Sequence, residues 1–330
     1  MKEIIKQLVE AYGPSGYEGQ VTDIITELVK DYVDELTTDV LGNLIAVKKG
    51  TSGKKVMFSA HTDEIGFVIT HIDDKGFLRF SNVGGLNILT LVGGRVRFAN
   101  GTIGVIGKEK GDLKELDLDK LFIDIGAKNR EDALEKVKVG DFAIAHREYN
   151  DLGNRIVSKA MDDRIGCVVL IEALKKISKP VHDLYFVFSS QEEVGLRGAR
   201  TSSYAIDPDL GIAVDVTPTG DTPEAPRSEV ALGNGAAIKV MDTSVIAHPK
   251  VKALLTRLAE AKGIKYQYEV LTRGGTDAGA IHLTKEGVPS GCISIPVRHV
   301  HTPSEMIDLD DVQACVDLVV AVAEDALADF

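Results

Sequence analysis

The sequence is poor in cysteine, in positive charge and in long apolar runs. It holds only 3 cysteines among 330 residues, which implies no disulfide framework and favours a reducing compartment. The formal net charge is -12, so no basic excess is present to offset the phosphate repulsion of a nucleic acid. No apolar run reaches the roughly 18 residues that span a membrane, and residues 1–10 form a charged amphipathic pattern unlike a signal peptide. The composition therefore predicts a cytoplasmic protein with neither a nucleic-acid nor a membrane partner.

Apolar residues make up 44 % of the chain, and they follow two different sequence patterns. Residues 1–67 and 158–330 alternate helical and strand patterns, which predicts a discontinuous α/β domain with a mixed sheet. Residues 68–157 carry short β-like runs separated by glycine turns, at residues 93–98, 101–106 and 142–145 among others. The pattern of residues 68–157 predicts an inserted small β-barrel, in which the charge-rich residues 108–119 form a short loop with a helix.

Acidic residues and histidines follow the apolar strand-like runs. Residues 55–58 are followed by His61 and Asp63, residues 184–188 by Glu192 and Glu193, residues 210–214 by Asp215, and residues 292–295 by His301. Asp162 differs, because it directly precedes the helical pattern of residues 165–174. In open α/β sheets, residues that follow strands converge at one edge although they are distant in sequence. We therefore expect five of these side chains to meet: His61, Asp162, Glu193, Asp215 and His301.

The five converging residues are candidate metal ligands. Histidine and carboxylate without thiolate suit zinc, cobalt or manganese in a site open to water, whereas closed structural zinc sites usually use cysteine. Five ligands are too many for one catalytic zinc, but two ions that share a bridging carboxylate would use all five. Such ions, about 3.5–4 Å apart, activate water. Glu192 is then left free to act as a base.

The adjacent acids Glu192 and Glu193 are predicted to have separate roles. Neighbouring side chains on extended backbone point in opposite directions, so the two acids cannot form a matched pair on one face. The choice of histidine is less clear from the residues alone. His299 and His301 would share a face of an extended segment, so either could be the ligand.

Five segments together resemble a known family. They are His61-Thr62-Asp63, Lys159-Ala160-Met161-Asp162-Asp163-Arg164, Gln191-Glu192-Glu193-Val194-Gly195, Asp215-Val216-Thr217 and Arg298-His299-Val300-His301-Thr302-Pro303-Ser304-Glu305. In this order they resemble the signature of the tetrahedral (TET) aminopeptidases, co-catalytic metallopeptidases that are also labelled glutamyl aminopeptidase or endoglucanase M. The resemblance extends from residues 12–18 to residues 305–307 and thus covers nearly the whole chain.

The resemblance implies a role for each matching residue. His61 and Asp215 would hold one metal ion, Glu193 and His301 would hold a second, and Asp162 would bridge both. Glu192 would act first as general base and then as general acid. Asp63 would form a hydrogen bond with the other ring nitrogen of His61 and so fix its tautomer. The cofactors would be two divalent ions per subunit, zinc or cobalt, with manganese as a further option. The inserted barrel would mediate dimer contacts, and the dimers would assemble into a tetrahedral dodecamer.

The substrate class leaves alternatives open. We expect a peptide substrate with a neutral aliphatic first residue such as leucine, and an acidic first residue is the alternative. A deacylase or dipeptidase with the same metal set would clamp a substrate carboxylate with Arg164, Arg197 or Arg298. A glycosidase would need two carboxylates about 5–9.5 Å apart across one bond, which adjacent acids on a strand do not supply.

Two glycine-rich segments carry no nucleotide-binding pattern. Residues 83–86 and 273–279 lack the phosphate-loop spacing and the strand-turn-helix context of a dinucleotide site, so both are interpreted as tight turns. The resemblance places the second beside the substrate pocket, with Asp277 as the cap of a helix over residues 278–283. Arg273 is interpreted as a solvent-exposed residue rather than as a handle for acidic substrates.

Overall fold

The computed structural model describes residues 1–112, 116–225 and 227–330 of the chain. The helices are α1 (Lys2–Glu10), α2 (Gly19–Val29), α3 (Arg130–Leu134), α4 (Met161–Lys176), α5 (Arg197–Ile206), α6 (Pro249–Lys262), α7 (Ala278–Ile281) and α8 (Leu309–Glu324). The strands are β1 (Glu35–Thr38), β2 (Leu44–Lys48), β3 (Lys55–His61), β4 (Gly66–Ile72), β5 (Leu78–Val83), β6 (Arg95–Phe98), β7 (Ile103–Lys108), β8 (Leu121–Asp124), β9 (Phe142–Ala145), β10 (Asn150–Asp151), β11 (Arg155–Ser158), β12 (Asp183–Ser189), β13 (Leu210–Pro218), β14 (Ala236–Met241), β15 (Tyr266–Val270), β16 (Ser290–Val297) and β17 (Glu305–Asp308).

A mixed sheet of eight strands forms the centre of the α/β part. Its order is β1-β2-β12-β3-β13-β16-β14-β15. The four central strands β12, β3, β13 and β16 run parallel to one another. These central strands are buried along almost their whole length because helices cover both faces, which explains their continuous apolar runs. The predicted strands at residues 55–58, 184–188, 210–214 and 292–295 are confirmed.

A closed barrel accounts for the short strand-like runs, separated by glycine turns, in the middle of the chain. Its strands follow the order β4-β5-β8-β7-β6-β9, with β4 and β9 paired to close the ring. The barrel has its own apolar core, which includes Phe67, Phe80 and Phe98. The predicted combination of an α/β fold with a small β-barrel is confirmed, whereas the exact division into domains stays a prediction. Strands β10, β11 and β17 form a separate three-stranded sheet, in which β11 lies in the middle and pairs with both neighbours.

Part of the predicted excursion at residues 108–119 lies outside the described residues, at positions 113–115. Beyond them, Leu118–Lys120 forms a short 3-10 helix. Within the described part of the chain, no helix has the length and apolar character needed to cross a membrane.

The parallel strands bring distant residues to one edge of the sheet. His61 ends β3 and pairs in register with Ser189, the last residue of β12. Asp215 lies on β13 in register with Ser294 of β16. Because the carboxyl ends of these strands point the same way, the segments that follow them meet above that edge.

Candidate active site

Two groups of potential metal ligands lie side by side above the carboxyl ends of the central strands. The first contains His61, Asp162 and Asp215, and the second contains Asp162, Glu193 and His301. In each group, one ligand atom from every residue lies within 4.8 Å of the others. The structure thus brings together all five residues that the sequence predicts to converge.

Asp162 belongs to both groups and faces a different histidine with each carboxylate oxygen. Its Oδ1 lies 3.0 Å from Nε2 of His61, and its Oδ2 lies 3.3 Å from Nε2 of His301. A carboxylate in this position can bind one ion with each oxygen. Asp162 precedes the regular part of α4, is joined to Asp163 by a cis peptide bond, and is almost completely buried.

Glu192 and Glu193 lie in a turn, which differs from the expected extended backbone. Strand β12 ends at Ser189, and Gln191 adopts a left-handed conformation with φ 55°. Both acidic side chains therefore line the same cleft, and the prediction that they point in opposite directions is wrong. They still have different neighbours: Oε2 of Glu192 is 3.9 Å from Nε2 of His61, and Oε1 of Glu193 is 3.6 Å from Nε2 of His301.

Asp63 holds the turn that carries the two glutamates. Its Oδ1 accepts a hydrogen bond of 2.9 Å from the backbone N–H of Glu192, and its Oδ2 accepts one of 3.2 Å from that of Glu193. Nδ1 of His61 lies 3.1 Å from the backbone oxygen of Asp63 and 3.4 Å from its Oδ1. Asp63 is therefore placed both to orient His61, as the resemblance implies, and to fix the glutamate turn.

The N-terminal motif at residues 12–18 supports the same turn. Ser15 donates a hydrogen bond of 2.6 Å to Oδ2 of Asp63, and Oε1 of Glu18 accepts one of 3.1 Å from the backbone N–H of Gln191. Sequence reasoning gave these two residues no role. The signal that could have identified them was the position of the motif within the family resemblance.

Glu305 is a third residue whose part in the site the sequence did not reveal. Its Oε2 accepts a hydrogen bond from the backbone N–H of Asp162 at 3.1 Å, and its Oε1 accepts one from that of His301 at 2.8 Å. One buried carboxylate thus connects two of the candidate ligands. The sequence offered Glu305 only as part of the segment that follows His301.

The acidic groups of the site have strongly perturbed acidities. Burial raises the pKa of Glu193 and that of Asp215 to about 8, and the nearby charge of Asp162 shifts both in the same direction. Burial also raises the pKa of Glu192 well above its usual range, with Asp215 and Glu193 acting in the same sense and His61 opposing them. For Asp162, burial is outweighed by hydrogen bonds with His301 and His61, so its pKa lies well below the usual range.

The donor set fits two divalent cations. Three carboxylates and two imidazoles, arranged in two overlapping groups of three, supply the nitrogen and oxygen ligands that zinc, cobalt and manganese accept. The raised pKa values of Glu193 and Asp215 show that their negative charges are costly in this setting, and a bound cation would relieve that cost.

Several other predicted positions lie away from the ligand groups. His299 is exposed, and within the described ranges it belongs to neither group. Asp277 occupies the N-cap position of α7, which ends at Ile281 rather than at residue 283, but its side chain makes no cap hydrogen bond. Instead its Oδ2 accepts hydrogen bonds of 2.6 Å from both Ser59 and Ser189. The side chain does not act as the predicted cap because the carboxylate turns toward the sheet, where two buried hydroxyls provide donors.

The arginines that could clamp a substrate carboxylate are engaged elsewhere. Arg164 is fully buried and donates to the backbone oxygens of Leu8 and Gly13. Arg298 forms two hydrogen bonds, of 2.9 and 2.6 Å, with Asp221. Arg197 donates to the side-chain oxygen of Gln191.

A cleft of about 780 Å³ opens onto both ligand groups. Its walls away from the acids are mainly apolar, and Arg273 also lines it. The apolar lining consists of Leu196, Val216, Pro218, Leu271 and Val300. A space of this size with a few convergent polar groups has the character of a small-ligand site.

The chain is similar to known aminopeptidases over almost its full length. A family model described as M42 glutamyl aminopeptidase matches residues 42–318. A putative aminopeptidase of Acetivibrio thermocellus is 51% identical over 322 residues, which cover 97% of each chain. The structure of an aminopeptidase from the archaeon Desulfurococcus kamchatkensis is 45% identical with a TM-score of 0.95, and covers 98% of this chain and 94% of that one. The TET1 peptidase of Pyrococcus horikoshii, described as assembling into a tetrahedron or a large octahedral shell, is 33% identical with a TM-score of 0.88, over 98% of this chain and 99% of that one.

Proposed function

Because the chain belongs to the M42 family of glutamyl aminopeptidases, and is thus a metallopeptidase that hydrolyses peptide bonds, we propose that it works with two metal ions bridged by Asp162. The observation that carries this proposal is the position of Asp162, whose two carboxylate oxygens face His61 and His301 in two separate ligand groups. His61 and Asp215 would complete one site, and Glu193 and His301 the other. When bound, such an ion pair polarises a carbonyl and activates a water for attack.

Glu192 is the proposed proton carrier. It lines the cleft beside both ligand groups, yet it belongs to neither of the two triads. Its raised pKa, caused first by burial, suits a group that accepts a proton from the attacking water and returns it to the leaving amine. Asp63 accepts a hydrogen bond from the backbone N–H of Glu192 and thereby holds the backbone from which this side chain extends into the cleft.

The preferred first residue is proposed to be neutral and aliphatic. Leu196, Val216 and Leu271 give the cleft an apolar wall that suits a leucine side chain. An acidic first residue is the second candidate, because Arg273 also lines the cleft and could pair with a carboxylate. A dipeptidase or deacylase is disfavoured, since Arg164 and Arg298 already have partners.

The cellular form is proposed to be a cytoplasmic homo-oligomer. The free, buried thiols of Cys167, Cys292 and Cys315 are consistent with a reducing compartment. The tetrahedral assembly described for the Pyrococcus horikoshii relative supports a tetrahedral dodecamer here, with the barrel in the dimer contacts. The expected metals are zinc or cobalt, with manganese as the alternative, because all three accept these ligands.

The function is tested with leucine and glutamate amides on chelated enzyme to which zinc, cobalt or manganese is returned. We expect no turnover after chelation, recovery with at least one of these metals, and a higher kcat/KM for the leucine amide. Turnover that resists chelation would contradict the metal assignment. A higher kcat/KM for the glutamate amide would instead favour the acidic preference and a role for Arg273.

A further inference from the structure

A glycine turn from the barrel contacts the ligand groups directly. Gly84 and Gly85 follow strand β5, and Gly84 has a positive φ of 76°. A Cβ atom on Gly85 would lie 2.8 Å from Nδ1 of His301, and one on Gly84 would lie 3.1 Å from Oε2 of Glu193. Only glycine permits so close an approach of the backbone to these side chains. The barrel therefore contributes one wall of the active site.

The residues after this turn carry apolar side chains beside the site, two of them packed partly against the barrel core and one exposed. Leu86 and Ile88 are half-buried, and Leu89 is 74% exposed. Together with Gly85, Asn87, Leu116 and His301 they line an open groove of about 550 Å³. Apolar side chains gathered at an open groove commonly mark a binding surface.

This groove adjoins the catalytic cleft. Gly85 and His301 line both spaces, so an occupant of the groove lies next to whatever fills the cleft. When the first residue of a peptide occupies the cleft, the rest of the peptide begins on the other side of the cleaved bond. That part of the peptide must leave the metal ligands along another path. An open, apolar groove that begins at His301 provides a path for it.

We propose that the barrel loop from Gly85 to Leu89 is a subsite for the second residue of the peptide and that Leu89 selects an apolar side chain there. The proposal rests on the function proposed above and adds a preference on the far side of the cleaved bond. A contact surface for a second copy of the chain would also be apolar, but a copy seated on this groove would cover His301 and obstruct the path of the substrate.

The test compares peptides that share the first residue and differ only in the second. With Leu-Phe-Gly and Leu-Gly-Gly as substrates, we expect the wild-type enzyme to have a kcat/KM about tenfold higher for the phenylalanine peptide. Leu89→Gln should reduce this ratio by about three- to tenfold, because the exposed apolar surface is replaced by an amide. Leu89→Met, which keeps an apolar side chain, should preserve most of the ratio. The matched control is Ile103→Gln on β7, a 41% exposed residue of the barrel that does not line the groove.

Each outcome either supports or contradicts the subsite. Equal kcat/KM values for the two peptides in the wild-type enzyme would overturn the proposal without reference to any variant. It would also be overturned if Leu89→Gln left the peptide ratio unchanged; a changed molecular mass in solution would then indicate that Leu89 belongs to a subunit contact. The proposed function is checked separately with the leucine and glutamate amides, which have no second residue: absence of metal-dependent hydrolysis of both would contradict the proposed function, whatever the peptide ratio.

Discussion

Asp63 and Glu192 show how much of this site depends on single backbone contacts. Glu192 stands beside the ligand groups, and its position is set by the hydrogen bond from its own N–H to Asp63. The sequence predicted the two different roles of Glu192 and Glu193, but for a reason that the structure does not support. The pair lies in a turn after Ser189, and the neighbours of each carboxylate distinguish the two acids.

At the residue scale, Glu192→Gln tests the proton carrier. We expect kcat to fall about 10²- to 10⁴-fold, because the amide cannot accept and return a proton, while both metal ions stay bound. Steady-state kinetics on the metal-loaded variant, combined with elemental analysis, checks this. The control is Glu286→Gln, which removes an exposed carboxylate and should leave both quantities unchanged. Wild-type kcat in the Glu192 variant would exclude Glu192 as the base.

At the scale of elements, the parallel strands of the central sheet explain what the sequence could predict. Apolar runs followed by polar residues identified β3, β12, β13 and β16, and the rule that ligands bind at carboxyl ends predicted that His61, Asp215 and Glu193 would converge. The conformation of the connecting turns was not predictable, because it depends on contacts between segments far apart in sequence. Glu18 with Gln191 and Glu305 with Asp162 are two such contacts.

Asp277 illustrates the same limit within a single element. The family resemblance suggested that it caps a helix, but the carboxylate instead links β3 to β12 through Ser59 and Ser189. The residues next to Asp277 in sequence do not indicate that the buried hydroxyls of Ser59 and Ser189 lie within hydrogen-bonding distance. The link is formed immediately below the metal ligands, since Ser59 is two residues before His61.

Replacement of Asp277 should therefore destabilise the fold. Asp277→Ala leaves the hydroxyls of Ser59 and Ser189 without their acceptor in a buried environment, and we expect a loss of about 2–4 kcal/mol in the free energy of unfolding. Denaturant titration of metal-loaded protein measures this. As a control, Asp23→Ala at an exposed position of α2 should change stability by no more than about 0.5 kcal/mol. An Asp277 variant as stable as the wild type would show that the link contributes little.

At the scale of the whole molecule, the barrel and the α/β part meet at the active site. The sequence predicted the barrel from its glycine-punctuated runs, and its closure is confirmed. It did not predict that Gly84 and Gly85 would lie against Glu193 and His301, because a glycine pair alone indicates only a turn. Packing between two parts of the fold gave those glycines their position beside the site.

Metal binding should also couple to the stability of the whole protein, with a defined dependence on pH. Glu193 and Asp215 have pKa values of about 8, above their ordinary values, so the stability they contribute is present at low pH and is lost as pH rises through 8. Metal binding requires both carboxylates to be deprotonated, and the ions offset the cost of burying these charges close to Asp162. We therefore expect the difference in Tm between metal-loaded and metal-free protein to increase from pH 6 to pH 9. A difference that shrinks over this range would contradict the proposed role of these two carboxylates.

The metal content per subunit tests the central claim most directly. Elemental analysis of wild-type protein, after equilibration with zinc or cobalt and removal of free ions, should give two ions per subunit, since two ligand groups share Asp162. Asp215→Ala and His301→Ala each remove a ligand from a different group, so each should retain one ion. A wild-type content of one ion, or two ions retained in both variants, would contradict the two-metal site.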